Sequence, residues 1–343
     1  MNYLSRAIAV LAVVGGQAHA QSDTFDPDLG LQACTPETAT DTVRVGIRTD
    51  TPPFSSSVAV PPFSRDPHGA VTGYTVELCE AFLDHAGLEG CYEEVSAQDR
   101  FDWLAGQRID MLCGATTATL NVREAFETTL YTFITASTIL VPALDAERLG
   151  KTEPAIGYRA GTTSTPEVTF EEYGQRDVVT GNAQGIPAES RISRILRKHF
   201  PKIVSPRWVP VDSHFDVVDK LRSGELDAFI ADQAILSALL RQDPERSADF
   251  KLEPEVLRLQ PYAVVMAPHG ARRDGAPADL ALRFNEFLVT EKFRKGDPFR
   301  RFQTRLLEIF GRDVDVNFLQ LAAIQGEIPV GKPVGVGPPE ATQ

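Results

Sequence analysis

Leu104-Ala-Gly-Gln-Arg-Ile-Asp110 and, 117 residues later, Leu221-Arg-Ser-Gly-Glu-Leu-Asp227 follow one plan. Each sets an apolar residue six positions before an Asp, passes through a Gly-containing turn and opens into an apolar strand. A helix, a turn and a strand repeated at that distance predict two similar α/β halves, since the period is far longer than the roughly 20–50 residues of a solenoid repeat.

The surrounding pattern agrees. Residues 43–47 read as a strand, and residues 74–86 as a helix with Val76, Cys79, Leu83 and Ala86 on one face, stopped by Gly87. Strands at 92–95 and 109–112 flank a short helix at 101–104. In the second half, strands at 155–158 and 228–231 alternate with helices at 216–221 and 233–240. Such alternation predicts an α/β fold with mainly parallel sheets.

The 343 residues are 43% hydrophobic and 24% charged, enough for a sizeable core, and at about 150 residues per domain they suggest roughly two domains. Against 47 Asp and Glu stand 34 Lys and Arg, a net charge of -13. Binding through counterion release wants the opposite sign, which excludes nucleic acid and anionic membrane as partners. Arg6, the apolar run from Ala7 to Val14 and the Ala18-His19-Ala20 end have the form of a secretory signal peptide over residues 1–20. The run is under half the roughly 20 residues that a spanning helix needs, so no membrane insertion is expected. Residues 21–41 lack periodicity and read as an N-terminal extension. Breaker-rich residues from Gly326 to Pro339 belong to a C-terminal extension, 312–343.

An exported chain can keep disulfides. Cys34, Cys79, Cys91 and Cys113 allow three pairings, and their spacing lacks the knuckles of a zinc site. Cys79 with Cys91 closes the shortest loop and would tie a helix to the next strand. Cys113 reads equally as paired or as a free buried thiol.

Open α/β sheets bind ligands beyond the carboxyl ends of their strands. Arg48 and Arg100 lie there, as do the hydroxyl-rich segment with Thr117 that runs to Arg123, the Ala160-Gly161-Thr162-Thr163-Ser164 loop, and Asp232, placed to cap the following helix. Guanidiniums and backbone N–H groups suit a carboxylate, and Asp232 suits an ammonium. The inventory predicts a zwitterion site. His214 precedes its helix as Arg100 precedes the 109–112 strand, and either reaches the cleft or is a loop residue without a role. No G-x-S-x-G, H-E-x-x-H, Walker or G-x-G-x-x-G motif is present, and neither catalysis nor a cofactor is expected.

Val43-Arg-Val-Gly-Ile-Arg48 with Pro52-Pro53-Phe54-Ser55, Gly73-Tyr74, Ile109-Asp110 through Thr116-Thr117 to Arg123, the 160–164 loop, Gly224-Glu-Leu-Asp227-Ala-Phe-Ile-Ala-Asp232 and Gln260-Pro261-Tyr262 together resemble family 3 of the periplasmic solute-binding proteins, the amino-acid receptors of ABC importers. The resemblance implies the type II periplasmic binding protein fold. Lobe 1 would be 42–139 with 263–311 and lobe 2 would be 140–262, joined by crossings near 138–143 and 259–264. It implies that Arg123 takes the α-carboxylate, helped by Thr117, Thr162 and Thr163, and that Asp232 takes the ammonium. Similarity to the glutamate/aspartate type implies that Arg48 and Arg100 hold a side-chain carboxylate, with His214 nearby. Ala97 and Ala115 stand where that type carries hydroxyls, and residues 116–123 also resemble the general L-amino-acid receptors.

The implied protein is a monomeric periplasmic receptor that passes a small L-amino acid, acidic by preference, to an ABC permease. Its rivals are a general L-amino-acid receptor and a cyclohexadienyl-dehydratase-like enzyme.

Overall fold

A computed structural model of the protein describes residues 33–35, 42–57, 71–143, 150–165, 191–242, 245 and 248–289. Residues 1–20, expected to be a signal peptide, and the expected C-terminal extension fall outside them.

The first sheet has the order β12-β5-β1-β4, with β1 at Val43–Ile47, β4 at Gly90–Glu94, β5 at Met111–Leu112 and β12 at Val265–Met266. β1 runs parallel to both β4 and β5, and β12 is antiparallel to β5. Val43, Val45 and Ile47 are buried beneath α1, Tyr74–Ala86, which presents Val76, Cys79, Phe82 and Leu83 to the same core. Gly87 ends α1 in the left-handed region, with φ 62°, where a glycine carries no side-chain penalty. A small hairpin, β2 Asp50–Thr51 with β3 Ser55–Ser56, and two short helices, α2 Arg100–Ala105 and α3 Leu120–Ala125, complete this half.

The second sheet has the order β10-β6-β9-β7-β8, and β11 joins the other flank of β6. β7, Ala155–Arg159, is parallel to β8, Arg207–Val211, and to β9, Ala228–Asp232. The long β6, Phe133–Pro142, is antiparallel to β9, to β10, Phe250–Leu252, and to β11, Arg258–Tyr262. Its helices are α4 Arg191–His199, α5 Val217–Arg222 and α6 Gln233–Gln242, and α7 Leu280–Val289 packs back on α1. Where β6 begins and β11 ends, Phe54 meets Phe133 and Tyr262 edge-on, each at 5.0 Å between ring centroids. That cluster joins the two sheets' cores.

The repeated sequence builds a repeated corner. The Asp110 N–H donates to the Arg44 carbonyl at 2.8 Å, and its carboxylate takes the Arg44 N–H at 2.9 Å. Asp227 does the same with Ala155, at 2.8 Å in both directions. Each Asp thereby fixes the register of its strand against the neighbouring parallel strand, with Leu104 or Leu221 buried behind it.

The disulfides differ from the Cys79–Cys91 expectation: Cys79 pairs with Cys113 and Cys91 with Cys34. Side chains alternate along a strand. Tyr92 packs in the α1 core, and a Cβ on Gly90 would meet Leu83 of α1 at 2.6 Å, so Cys91 between them faces away from α1. Cys113, at the end of β5, lies under α1 instead, in the same core as Cys79. Cys34 reaches Cys91 because Ala33 bridges to Tyr92 in parallel, which pins this part of the N-terminal extension to β4.

Residues 191–199 form α4. It buries Ile192, Ile195 and Leu196 in the core of the second sheet. At its C-terminal end His199 Nε2 lies 2.7 Å and Lys198 Nζ 2.6 Å from the buried Glu253 carboxylate.

Candidate functional site

Every parallel strand delivers a residue from its carboxyl end to one cavity of about 190 Å³. Arg48 follows β1, Arg100 follows β4 and Thr117 follows β5. Across the gap, Thr162 and Thr163 follow β7, His214 follows β8, and Asp232 ends β9. The volume lies below the roughly 300–1,000 Å³ of pockets for drug-sized ligands and leaves room for a small solute.

Behind the lining residues Arg48 and His214 is an ion cluster centred on Asp50. Arg48, 2% exposed, places Nε at 3.1 Å and Nη2 at 2.7 Å from Asp50 Oδ1. Arg159, at the end of β7, donates from Nε to Oδ2 at 2.8 Å. His214 Nδ1 lies 2.8 Å from the Asp50 carbonyl; a carbonyl only accepts, so Nδ1 carries the hydrogen. Burial works against the Asp50 charge, but Arg48, His214 and Arg159 outweigh it and hold the carboxyl well below the usual carboxylate range. Burial also lowers Arg48, with Asp50 opposing.

Two cavity-lining groups retain unused polar atoms. Asp232 accepts the Tyr262 hydroxyl on Oδ2, while its Oδ1 is buried without a partner. Burial raises the Asp232 pKa, and the Tyr262 bond opposes that rise. Arg100 donates from Nη1 to the Ala97 carbonyl and, at 2.8 Å, to the Gly161 carbonyl, while Nε is buried without a partner. Burial, with Arg48 close by, pulls Arg100 down to about 9, which leaves it a cation at neutral pH. Buried polar atoms in folded proteins are nearly always paired, so an orphan acceptor on an acid and an orphan donor on a base mark where a ligand's own groups fit. The Arg100 to Gly161 bond also crosses between the sheets. Gly161, with φ 72°, lets the two loops touch: a Cβ there would sit 2.7 Å from the Ala97 backbone.

The hydroxyls are held in place from behind. Thr163 donates to Gln260 Oε1 at 3.1 Å and lies 3.5 Å from the Thr117 hydroxyl, and Gln260 Nε2 is anchored on Ser137 at 2.8 Å. Thr162 donates to the Arg159 carbonyl at 2.7 Å and accepts the Ser164 N–H.

Two expectations change. Arg123 does not line the cavity; it is exposed, with its guanidinium 4.6 Å from the centre of the Tyr131 ring, while its carbonyl faces His269. At 3.6 residues per turn, an α3 that turns Asn121 and Val122 to the cavity turns Arg123 outward. Asp232 does not cap α6 either. Thr135 Oγ1 takes the Ala234 N–H at 3.2 Å, and the Asp232 carboxylate turns to Tyr262. Sequence reasoning missed Asp50, Arg159, Gln260 and Tyr262. Arg159 ends a strand as Arg48 follows one, and Asp50 stands two residues beyond Arg48, so both carried a readable signal.

A sequence model of the bacterial extracellular solute-binding proteins, family 3, matches residues 43–308. The chain belongs to that family. No curated protein sequence matches it. Among solved structures, a mutant of ArgBP from T. maritima is 18% identical, with a TM-score of 0.56 over 79% of this chain and 96% of that one. An ancestral arginine-binding protein bound to arginine is 19% identical, with a TM-score of 0.54 over 79% and 99%. An ancestral amino acid-binding protein, described as a precursor of cyclohexadienyl dehydratase, is 16% identical, with a TM-score of 0.53 over 79% and 96%. These identities establish a shared fold, the type II periplasmic binding protein architecture. In this family-3 solute-binding protein the cavity lies at the carboxyl ends of the parallel strands, the position where open α/β sheets bind ligands. Among the described residues, no helix is long and apolar enough to cross a membrane.

Proposed function

We propose that this family-3 protein is a periplasmic receptor that takes a small L-amino acid into the cleft and hands it, chemically unchanged, to an ABC permease. The observation that carries the reading is the pair of unpartnered buried atoms, Asp232 Oδ1 and Arg100 Nε. Asp232 would receive the α-ammonium and Arg100 a carboxylate, with Thr117 and Thr163 beside them. Segments 42–139 with 263–311, and 140–262, would be the two lobes that close on the ligand, after export has removed residues 1–20.

Charge balance supports the acidic preference. Three guanidiniums, of Arg48, Arg100 and Arg159, stand against two carboxylates, of Asp50 and Asp232. Counting these five side chains at their formal charges leaves an excess of one positive charge, which a ligand of net charge -1 cancels, as glutamate and aspartate do. Away from water, that cancellation is worth far more than at a surface.

Thermal unfolding of the mature protein against about 1 mM of each amino acid tests the reading. A dissociation constant of about 1 µM stabilises by roughly 4 kcal/mol, and at about 2–4 °C per kcal/mol the shift is plain. The expected result is the largest shift with glutamate or aspartate. Equal shifts across many amino acids would replace the acidic preference with a general one. No shift with any of them, together with turnover of prephenate or arogenate, would replace the receptor with an enzyme.

A further inference from the structure

Asp50 belongs to both halves of the molecule. It sits on β2, beside Arg48 of the first sheet, and it takes Arg159 Nε and the His214 ring from the second. Arg48 and His214 line the cavity. The Nε and Nη2 atoms of Arg48 both point at Asp50 Oδ1, so this cavity-lining guanidinium already has a carboxylate, one the protein supplies itself.

We infer that Asp50 is a specificity determinant that sets how much negative charge the ligand carries, acting as a built-in counter-ion instead of a ligand contact. The inference rests on the amino-acid reading above and deepens it. With Asp50 ionised, the cleft groups hold one positive charge in excess, and a ligand with one surplus carboxylate balances them. Without Asp50 the excess rises to two, because Arg48, Arg100 and Arg159 would face Asp232 alone. An uncompensated charge is costly in a buried site, so each change in the excess shifts the preference between ligands that differ only in charge. A purely structural strap between the halves would behave differently, since cutting it would weaken all ligands alike.

Glutamate and glutamine are the probes, alike in shape and different by one charge. Association constants for both, measured by isothermal titration calorimetry at neutral pH, give a glutamate-to-glutamine ratio for the wild type, Asp50→Asn and Arg159→Gln. Asp50→Asn should raise the ratio by about tenfold or more, the effect of one unit charge a few ångströms away at an effective dielectric near 20. Arg159→Gln should lower it by a similar factor and reads the proposal even if Asp50→Asn fails to fold. Ratios that stay at the wild-type value while binding persists would overturn the inference and leave the receptor standing. A wild type that binds neither probe would remove the acidic preference, and this inference with it, while the amino-acid panel above decides separately whether the receptor stands.

Discussion

Asp110 and Asp227 occupy matching corners of the two halves, each returning a carboxylate to the N–H of the strand whose carbonyl it already holds. Their surroundings differ. Asp110 also binds Arg273, which arrives from beyond β12, places Nη2 at 2.9 Å and is 11% exposed. Asp227 binds Lys151, which is local in its half and 37% exposed. Both disulfides lie in the first half, between Cys34 and Cys113, and the sequence has no cysteine beyond Cys113. At the opposite, carboxyl ends of the strands the halves diverge chemically, the first contributing Arg48 and Arg100 and the second Asp232. The repeat is therefore a folding device at one end of the sheets, and recognition is written at the end where the copies no longer match.

The largest effect should come from the corners themselves. Asp110→Ala deprives a buried guanidinium of its carboxylate and should cost about 3–5 kcal/mol in urea unfolding. Asp227→Ala removes the same backbone contact but leaves a lysine that can turn to water, so its cost should be about 1–3 kcal/mol. Equal losses would break the comparison, because they would mean that the buried Arg273 adds nothing to the first corner.

A somewhat smaller effect should follow from the cross-links. Replacing Cys79 and Cys113 together by Ala opens a link between residues 34 positions apart and should cost about 2–4 kcal/mol, through the freedom it returns to the unfolded chain. Hydrogen exchange read by mass spectrometry should rise in β1, β4 and β5 and hold at the wild-type level in β7 and β9. A uniform rise would show that the halves open as one unit.

What could be read in advance followed the same divide. β1 and α1 have the boundaries that apolar periodicity and Gly87 indicated, and the repeat around Asp110 and Asp227 was visible because local rules govern it. The cleft was legible where a residue lies at or shortly beyond a strand's carboxyl end, as Arg48, Arg100, Thr117, Thr162, Thr163, His214 and Asp232 do. Arg123 escaped because a single residue of helical phase separates Val122, at the cavity, from solvent. The cysteine pairing escaped because it turns on the side of β4 that Cys91 faces, and on a contact made by residues as remote as Ala33. The Asp50 cluster joins side chains from 48 to 214, a distance no periodicity spans.

The smallest effect concerns Asp232 and separates stability from recognition. Burial raises its pKa in the folded protein, with the Tyr262 hydroxyl and the nearby cations opposing. A raised pKa means that the native state holds this proton more tightly than the unfolded chain, whose value is about 3.9. The group's contribution to stability is therefore complete below that value and is lost as pH rises through the folded pKa. Oδ1 of Asp232 is buried with no partner, so ionising this carboxyl in the empty cleft carries a cost that Asn at the same position avoids. Asp232→Asn should thus stabilise the ligand-free protein by on the order of 1 kcal/mol at the alkaline end of its pH range, with the gain shrinking as pH falls and the wild-type carboxyl takes up its proton. It should also remove the thermal shift with every amino acid, since the ammonium loses its anion. Urea unfolding across the pH range checks the sign: a variant no more stable than wild type at the alkaline end would show that the orphan oxygen costs nothing, and that Asp232 serves the fold, as Asp110 and Asp227 do.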